Sequence, residues 1–164
     1  MGPLRIVELR KTMKKFALAT LPALVGMAVI ASPAQANEGR VEARGGIAWA
    51  NGHEEAVAGV AGGYDFDLGE TTFFGVEGSA DKVLADGADV VWGATARVGA
   101  KMGANGKLYA AGGYTFGEGE DTPHLGAGYQ HRLGTNLYVK GEYRHFFSDF
   151  VDVNTAVVGV GFTF

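Results

Sequence analysis

Few residues of this 164-residue chain are equipped for covalent chemistry. It contains no Cys, which removes thiol nucleophiles, disulfides and thiolate metal sites from consideration. Beyond position 36 only Ser79 and Ser148 remain as serine nucleophiles. The one local set with the ingredients of a Ser/His/acid site is His145, Ser148 and Asp149. Along a strand, positions 145 and 148 fall on opposite faces, so the hydroxyl points away from its base. The expectation is that His145 sits at an interface, that Ser148-Asp149 opens a loop, and that the protein is not an enzyme. His53, His124, His131 and His145 show no metal-ligand spacing. Glu118, Glu120 and Asp121 lack the Asp-x-Asp-x-Asp-Gly pattern of a calcium loop, and Gly126-Ala127-Gly128 is not followed by a helix that would make it a phosphate loop. No cofactor and no metal are expected.

The remaining chemistry is ion pairing. Glu42, Arg44, Glu77, Arg97, Lys101, Arg132, Lys140, Glu142 and Arg144 lie inside alternating stretches rather than between them, with Arg40, Asp65, Asp67 and Lys107 in the same pattern. A charge in mid-strand must be solvated or paired, so the stretches that hold these residues decide what they do.

From Asn37 onward no helical period is found, and eight runs alternate with period two. They are expected at about 40–50, 56–68, 72–82, 89–102, 107–117, 124–133, 137–147 and 154–164. In each, large apolar residues oppose charged or small ones. The fourth is the clearest, with Val90, Trp92, Ala94, Ala96, Val98, Ala100 and Met102 against Thr95, Arg97 and Lys101. Runs of this length exceed the usual globular strand and suit a tilted strand that spans a bilayer. The connections after runs two, four and six read as tight turns, among them Gly103-Ala104-Asn105-Gly106 with its Asn-Gly hairpin signal. Those after runs one, three, five and seven, at 51–55, 83–88, 118–122 and 148–153, read as irregular acidic loops.

Alternation alone fits a soluble barrel of the lipocalin type, with its apolar face inside, and a membrane barrel, with its apolar face outside. The contents of the faces favour the second. The polar face is rich in Gly and carries eight of the nine Lys and Arg found beyond position 36, which suits a lumen only wide enough for side chains. Trp49, Tyr64, Phe66, Trp92, Tyr114, Phe116, Tyr129, Tyr143 and Phe162 gather towards strand ends on the apolar face, where interfacial girdles belong.

Residues 1–36 read as an extension followed by a cleavable signal peptide. Lys11, Lys14 and Lys15 form a positive region, residues 16–31 an apolar one, and Ala34-Gln35-Ala36 a small-x-small cleavage site. That leaves 37–164 as one barrel domain. Nine Lys and Arg against 17 Asp and Glu give this part a net charge of −8, which excludes the usual basis of nucleic-acid binding.

Signal peptide, eight runs, short turns on one side, and a last strand with Val158, Val160, Phe162 and Phe164 on one face together resemble the small outer-membrane β-barrel family of Gram-negative bacteria. That family includes opacity-type proteins and the transmembrane domain of outer-membrane protein A, here without a periplasmic peptidoglycan-binding domain. The resemblance implies an all-β, eight-stranded antiparallel up-and-down transmembrane β-barrel in the outer membrane, reached through the periplasm. It further implies contact with outer-membrane lipid and lipopolysaccharide, and recognition of Phe164 in the C-terminal strand by the barrel-assembly machinery. The expected protein is a monomer that binds no nucleic acid and has a structural role in envelope integrity or surface interaction. Its lumen is expected to be plugged by the charge network. The alternatives are a narrow, porin-like channel or transport accessory, then a lipid A-modifying barrel enzyme or a soluble lipocalin-like binder.

Overall fold

A computed structural model describes residues 37–117, 121–149 and 151–164. The expected signal segment 1–36, with Ala34 and Ala36, and the loop acids Glu118 and Glu120 lie outside the described residues. Eight strands follow one another: β1 (Glu38–Ala50), β2 (His53–Asp67), β3 (Thr72–Val83), β4 (Val90–Met102), β5 (Gly106–Phe116), β6 (Thr122–Arg132), β7 (Leu137–Phe146) and β8 (Val153–Thr163). Each pairs antiparallel with its sequence neighbour, and β8 returns to β1 to close a barrel. The seam runs from Arg40 opposite Thr163 to Trp49 opposite Asn154. Gly39 and Phe164 extend it by exchanging both backbone hydrogen bonds at 2.9 Å. Closure leaves no open edge, a requirement in lipid, where an unpaired N–H or C=O has no water to turn to.

The strands are 10 to 15 residues long, enough to cross a hydrocarbon core at the tilt of a small barrel. Alternation sorts the side chains. Arg40, Glu42, Arg44, Glu77, Arg97, Lys140, Glu142 and Arg144 are all 7 % exposed or less, whereas their sequence neighbours Val41, Val76, Val98 and Tyr143 are 44 to 55 % exposed. The apolar face is therefore outside and the charged face inside, which rules out the lipocalin arrangement.

Two connections differ from their expected form. The one after β1 is not an irregular 51–55 loop: Ala50 pairs with His53, and Asn51 and Gly52 form a two-residue turn with φ of +47° and +80°. Both central residues of a type I′ hairpin need positive φ, which Asn and Gly tolerate, so Glu54 and Glu55 become strand residues opposite Trp49 and Ala48. The connection at 103–106 is tight, as expected, but Asn105-Gly106 does not form its centre. Met102 pairs with Gly106 and Lys101 with Lys107, leaving 103–105 as the turn with Gly103 at φ +68°. Register decides this: paired residues share a face, and a turn at 105–106 would set inward Lys101 opposite outward Ala110.

The barrel thus has a loop end, with the connections at 51–52, 84–89, 117–121 and 147–152, and a turn end, with those at 68–71, 103–105 and 133–136.

Candidate functional site

Inside a narrow barrel, long charged side chains fit only where the opposing backbone carries little. Gly75 and Gly128 show why the inner face is so rich in Gly. A Cβ on Gly75 would lie 2.3 Å from Asp65 Oδ1, and one on Gly128 2.4 Å from Tyr109 Oη. The space a side chain would take is occupied by groups reaching across from other strands.

Those groups form two layers. In the middle of the barrel Arg40 and Arg44 of β1, and Lys140 and Arg144 of β7, meet Glu42 of β1, Glu77 and Asp81 of β3, and Glu142 of β7. Glu77 is the hub: it accepts hydrogen bonds from Arg40 Nη1 at 2.6 Å, Arg144 Nη2 at 2.8 Å and Arg44 Nη1 at 3.1 Å, with Lys140 Nζ at 3.5 Å. Arg44 also grips Asp81 with Nε and Nη2, at 2.8 and 2.5 Å. Lys140 stands 2.6 Å from Glu42 and 3.4 Å from Glu142, and Arg144 pairs with Glu142 through Nε. The phenol of Tyr138 donates to Glu42 and that of Tyr109 to Glu142, each at 2.7 Å. Four cations thus face four anions in one layer inside the lumen, which we call the septum. Ion pairing offsets much of the cost of taking these charges out of water, although Arg40 Nε and Nη2, Glu42 Oε1 and Lys140 Nζ make no hydrogen bond.

The second layer lies towards the turn end. Asp65 is held by Arg97 at 2.5 and 2.9 Å and by Lys107 Nζ at 2.9 Å. Arg97 also reaches Gln130 at 3.2 Å. Glu38 pairs with Lys107 at 2.8 Å and with Arg132, and Asp67 pairs with Lys101 at 2.5 Å. The Arg97 guanidinium lies over the rings of Tyr109 and Phe73, 4.8 and 5.3 Å from their centroids, so its flat faces are covered as well as its edge.

Several inward residues escaped the sequence reading. Phe73 and Tyr138 are fully buried in the lumen, and the reading assigns neither to the inner face. Glu38 and Asp81 are ion-pair partners it did not include. Each shares the parity of an inward neighbour, Arg40 and Glu77 respectively, and that parity was the available signal. His124 is also inward, its ring nitrogens 3.0 Å from Thr95 Oγ1 and 3.2 Å from Thr115 Oγ1.

On the outside, the aromatic residues fall into two sets. Trp49, Trp92, Tyr114, Phe116 and Tyr143 lie towards the loop end. Tyr64, Phe66, Tyr129, Phe162 and Phe164 lie towards the turn end. Neighbouring rings contact one another: Trp49 with Tyr143 at 6.1 Å, Tyr64 with Phe66 at 5.0 Å and Tyr114 with Phe116 at 6.5 Å between centroids. Tyr64 is only 9 % exposed, being overlaid by Phe66.

His145, the base of the candidate catalytic set, is engaged otherwise. His145 Nδ1 lies 2.8 Å from Asn154 Oδ1 and its Nε2 3.6 Å from Asp152 Oδ2, with the ring edge-on to Phe147 at 4.6 Å. No group of three or more His, Asp or Glu among the described residues is arranged to hold a metal ion.

The fold has solved counterparts. The Neisserial surface protein NspA aligns with a TM-score of 0.55 and 14 % identity over 79 % of this chain and 98 % of its own. Ail, the attachment invasion locus protein of Yersinia pestis, aligns with a TM-score of 0.53 and 20 % identity over 78 % of this chain and 97 % of its own. The N-terminal β-barrel domain of Pseudomonas aeruginosa OprF gives 0.52 and 14 % over 76 % and 97 %. At these identities the likeness is one of fold. No curated protein sequence matches the chain. The family model of the outer membrane protein beta-barrel domain, however, matches residues 20–164. An eight-stranded closed barrel, apolar outside and charged within, thus coincides with that sequence match, and the chain belongs to the outer membrane protein β-barrel family of Gram-negative bacteria.

Proposed function

We propose that the protein is a structural component of the outer membrane, serving envelope integrity or surface interaction, with a lumen blocked to bulk diffusion and with no enzymatic activity. The septum carries this reading. Glu77, Lys140 and Glu142 have side chains no more than 2 % exposed, which supports a lumen filled at this level by paired side chains rather than by water. The turn end faces the periplasm and the loop end the outside, and the two aromatic sets mark the interfaces with lipid and lipopolysaccharide. Residues 1–36 comprise an extension and the export signal that follows it, which is cleaved after Ala36. Val158, Val160, Phe162 and Phe164 present the face that the assembly machinery reads, and the barrel works as a monomer.

Recording from planar bilayers tests the blocked lumen. The expected trace is flat, with at most brief small openings; sustained conductance in the nanosiemens range would overturn it. A second reading, a narrow channel, has one observation in its favour. A cavity of about 460 Å³ lies on the turn side of the two charged layers and one of about 470 Å³ on their loop side. Under that reading small steps appear and grow when Lys140 is replaced by Ala. Under the structural reading the replacement lowers stability before any current is seen.

A further inference from the structure

The two cavities are alike in size and opposite in character. The turn-side cavity is lined by Lys101, Lys107 and Arg132 against Glu38 and Asp67, with backbone from the turns. The loop-side cavity has walls of Val57, Val83, Val91, Phe146, Val153 and Val157 above a floor of Arg44, Asp81 and Arg144. The inward side chains of the two layers below are mostly charged, polar, aromatic or small, so a ring of branched aliphatic side chains at the mouth breaks the pattern. These walls do not simply pack together, since Val57, Val83, Val91 and Val153 remain half-exposed. A concave, mostly apolar site of a few hundred Å³ with a small number of fixed polar groups has the composition of a small-molecule pocket.

The floor and the rim choose the sign of the ligand. Arg44 and Arg144 have side chains 4 and 5 % exposed and are turned into the septum, whereas the Asp81 side chain is 29 % exposed. A carboxylate offers about four acceptor positions. Three are taken, by Arg44 Nε, Arg44 Nη2 and Ser79 Oγ, which leaves one on Oδ1. The connections at this end of the barrel carry Asp86, Asp89, Asp121, Asp149 and Asp152. Lys82 also lines the cavity, but it comes from the outward parity of β3, opposite Val90, and is exposed. An acidic rim over a low-dielectric recess concentrates cations.

From this geometry we propose that the loop-side cavity binds small lipophilic cations, amines or quaternary ammonium ions with an aliphatic or aromatic body, whose apolar part fills the valine walls while the charge sits by Asp81. The inference goes beyond the structural role above and does not depend on whether the lumen conducts.

The test uses the barrel refolded into phospholipid nanodiscs at low ionic strength, with valine methyl groups labelled for NMR. The probes are hexyltrimethylammonium chloride, 1-hexanol and sodium hexanoate. Hexyltrimethylammonium is expected to shift the methyl signals of Val57, Val83, Val91, Val153 and Val157 saturably, and to bind about tenfold more tightly than either other probe. Asp81→Asn is expected to remove most of that preference while leaving 1-hexanol binding unchanged. The double variant Val57→Thr, Val83→Thr, which leaves the ion pairs untouched, is expected to weaken all three probes. The proposal is overturned if hexanoate binds as tightly as the cation. It is equally overturned if no probe moves these methyls, or if the shifts appear only on lipid-facing Val98 and Val158. The comparison of probes on the unaltered protein decides the matter even if Asp81→Asn fails to fold.

Discussion

Glu77→Gln is the sharpest single perturbation of the septum, because it removes one charge and almost no volume. The carboxylate now answers Arg40, Arg44 and Arg144 at 2.6 to 3.1 Å and Lys140 at 3.5 Å. Removing one partner from a buried ion pair costs about 3–5 kcal/mol. The lower end applies here, because three of the four cations retain anions: Arg44 keeps Asp81 at 2.5 Å, Lys140 keeps Glu42 at 2.6 Å, and Arg144 keeps Glu142. Arg40 is the loser, left with Asp65 at 3.6 Å and Glu42 at 4.0 Å. A loss of about 3 kcal/mol, with a urea slope of roughly 1–3 kcal/mol/M, moves the unfolding midpoint by roughly 1–3 M. The assay is urea titration in phospholipid vesicles followed by the fluorescence of Trp49 and Trp92, the two tryptophans of the chain, with heat-modifiable gel migration as a second probe. Glu55→Gln, at an exposed position, is the control and should stay within about 0.5 kcal/mol of the unaltered barrel. Adding Arg40→Met to Glu77→Gln restores the balance of charge and should recover a good part of the loss. A Glu77→Gln variant as stable as the Glu55→Gln control, or a double variant whose losses simply add, would refute the account of a coupled buried network.

Three further outcomes follow from the same geometry. Val98→Arg puts a cation at a lipid-facing site that is now 55 % exposed between Phe74 and Ala110; it should cost about 2–4 kcal/mol in vesicles, and unchanged stability would invert the assignment of faces. Gly128→Ala drives a methyl into Tyr109 and should cost about 1–3 kcal/mol by overpacking, whereas Tyr109→Phe, which deletes only the hydrogen bond to Glu142, should cost about 1.5–3 kcal/mol without disturbing the backbone signals of β6; the two are separated by NMR of that strand. Phe164→Ala leaves the paired backbone bonds to Gly39 in place, so refolding in vitro should be nearly unchanged while the amount of folded barrel in the outer membrane of cells falls; equal losses in both would count against recognition of this side chain during assembly.

The strand pattern was legible because a barrel wall has only two environments, and period-two alternation reports both. The Arg97 and Val98 pair illustrates it: adjacent in sequence, they end 2 % and 55 % exposed. The loops were less legible because turn signals were weighed alone, without the parity that binds them. Inward residues are even-numbered in β1 (Arg40, Glu42, Arg44) and odd-numbered in β2 (Gly63, Asp65), so the β1–β2 turn must hold an even number of residues, and Asn51-Gly52 meets that. Inward residues are odd-numbered in both β4 (Thr95, Arg97) and β5 (Lys107, Tyr109), so their turn must hold an odd number, which excludes Asn105-Gly106 and admits 103–105. The inward Phe73 and Tyr138 escaped for a different reason. An aromatic ring is apolar enough for lipid, and only its neighbours in space reveal that it serves instead as the surface on which Arg97 stacks, or as the donor that satisfies Glu42.

A barrel of this size could in principle be filled with leucine, and buried ion pairs are often no more stabilising than apolar groups of the same shape. Register offers a reason for charge. Slipping β1 by one residue against its neighbours would turn Arg40, Glu42 and Arg44 towards lipid. Arg44, in mid-strand, would cost roughly 2–4 kcal/mol in lipid and Arg40, opposite Gly63 and nearer the turn end, less, and Glu77 left behind without its partners would cost about 3–5 kcal/mol more. That is comparable with the whole stability of an ordinary domain, about 5–15 kcal/mol. A lumen of leucine would carry no such penalty, since either face would then be at home in lipid and the strand could pair in both registers. The charges therefore need not strengthen the barrel in order to be kept; by making every misaligned pairing expensive, they leave the sequence one way to close.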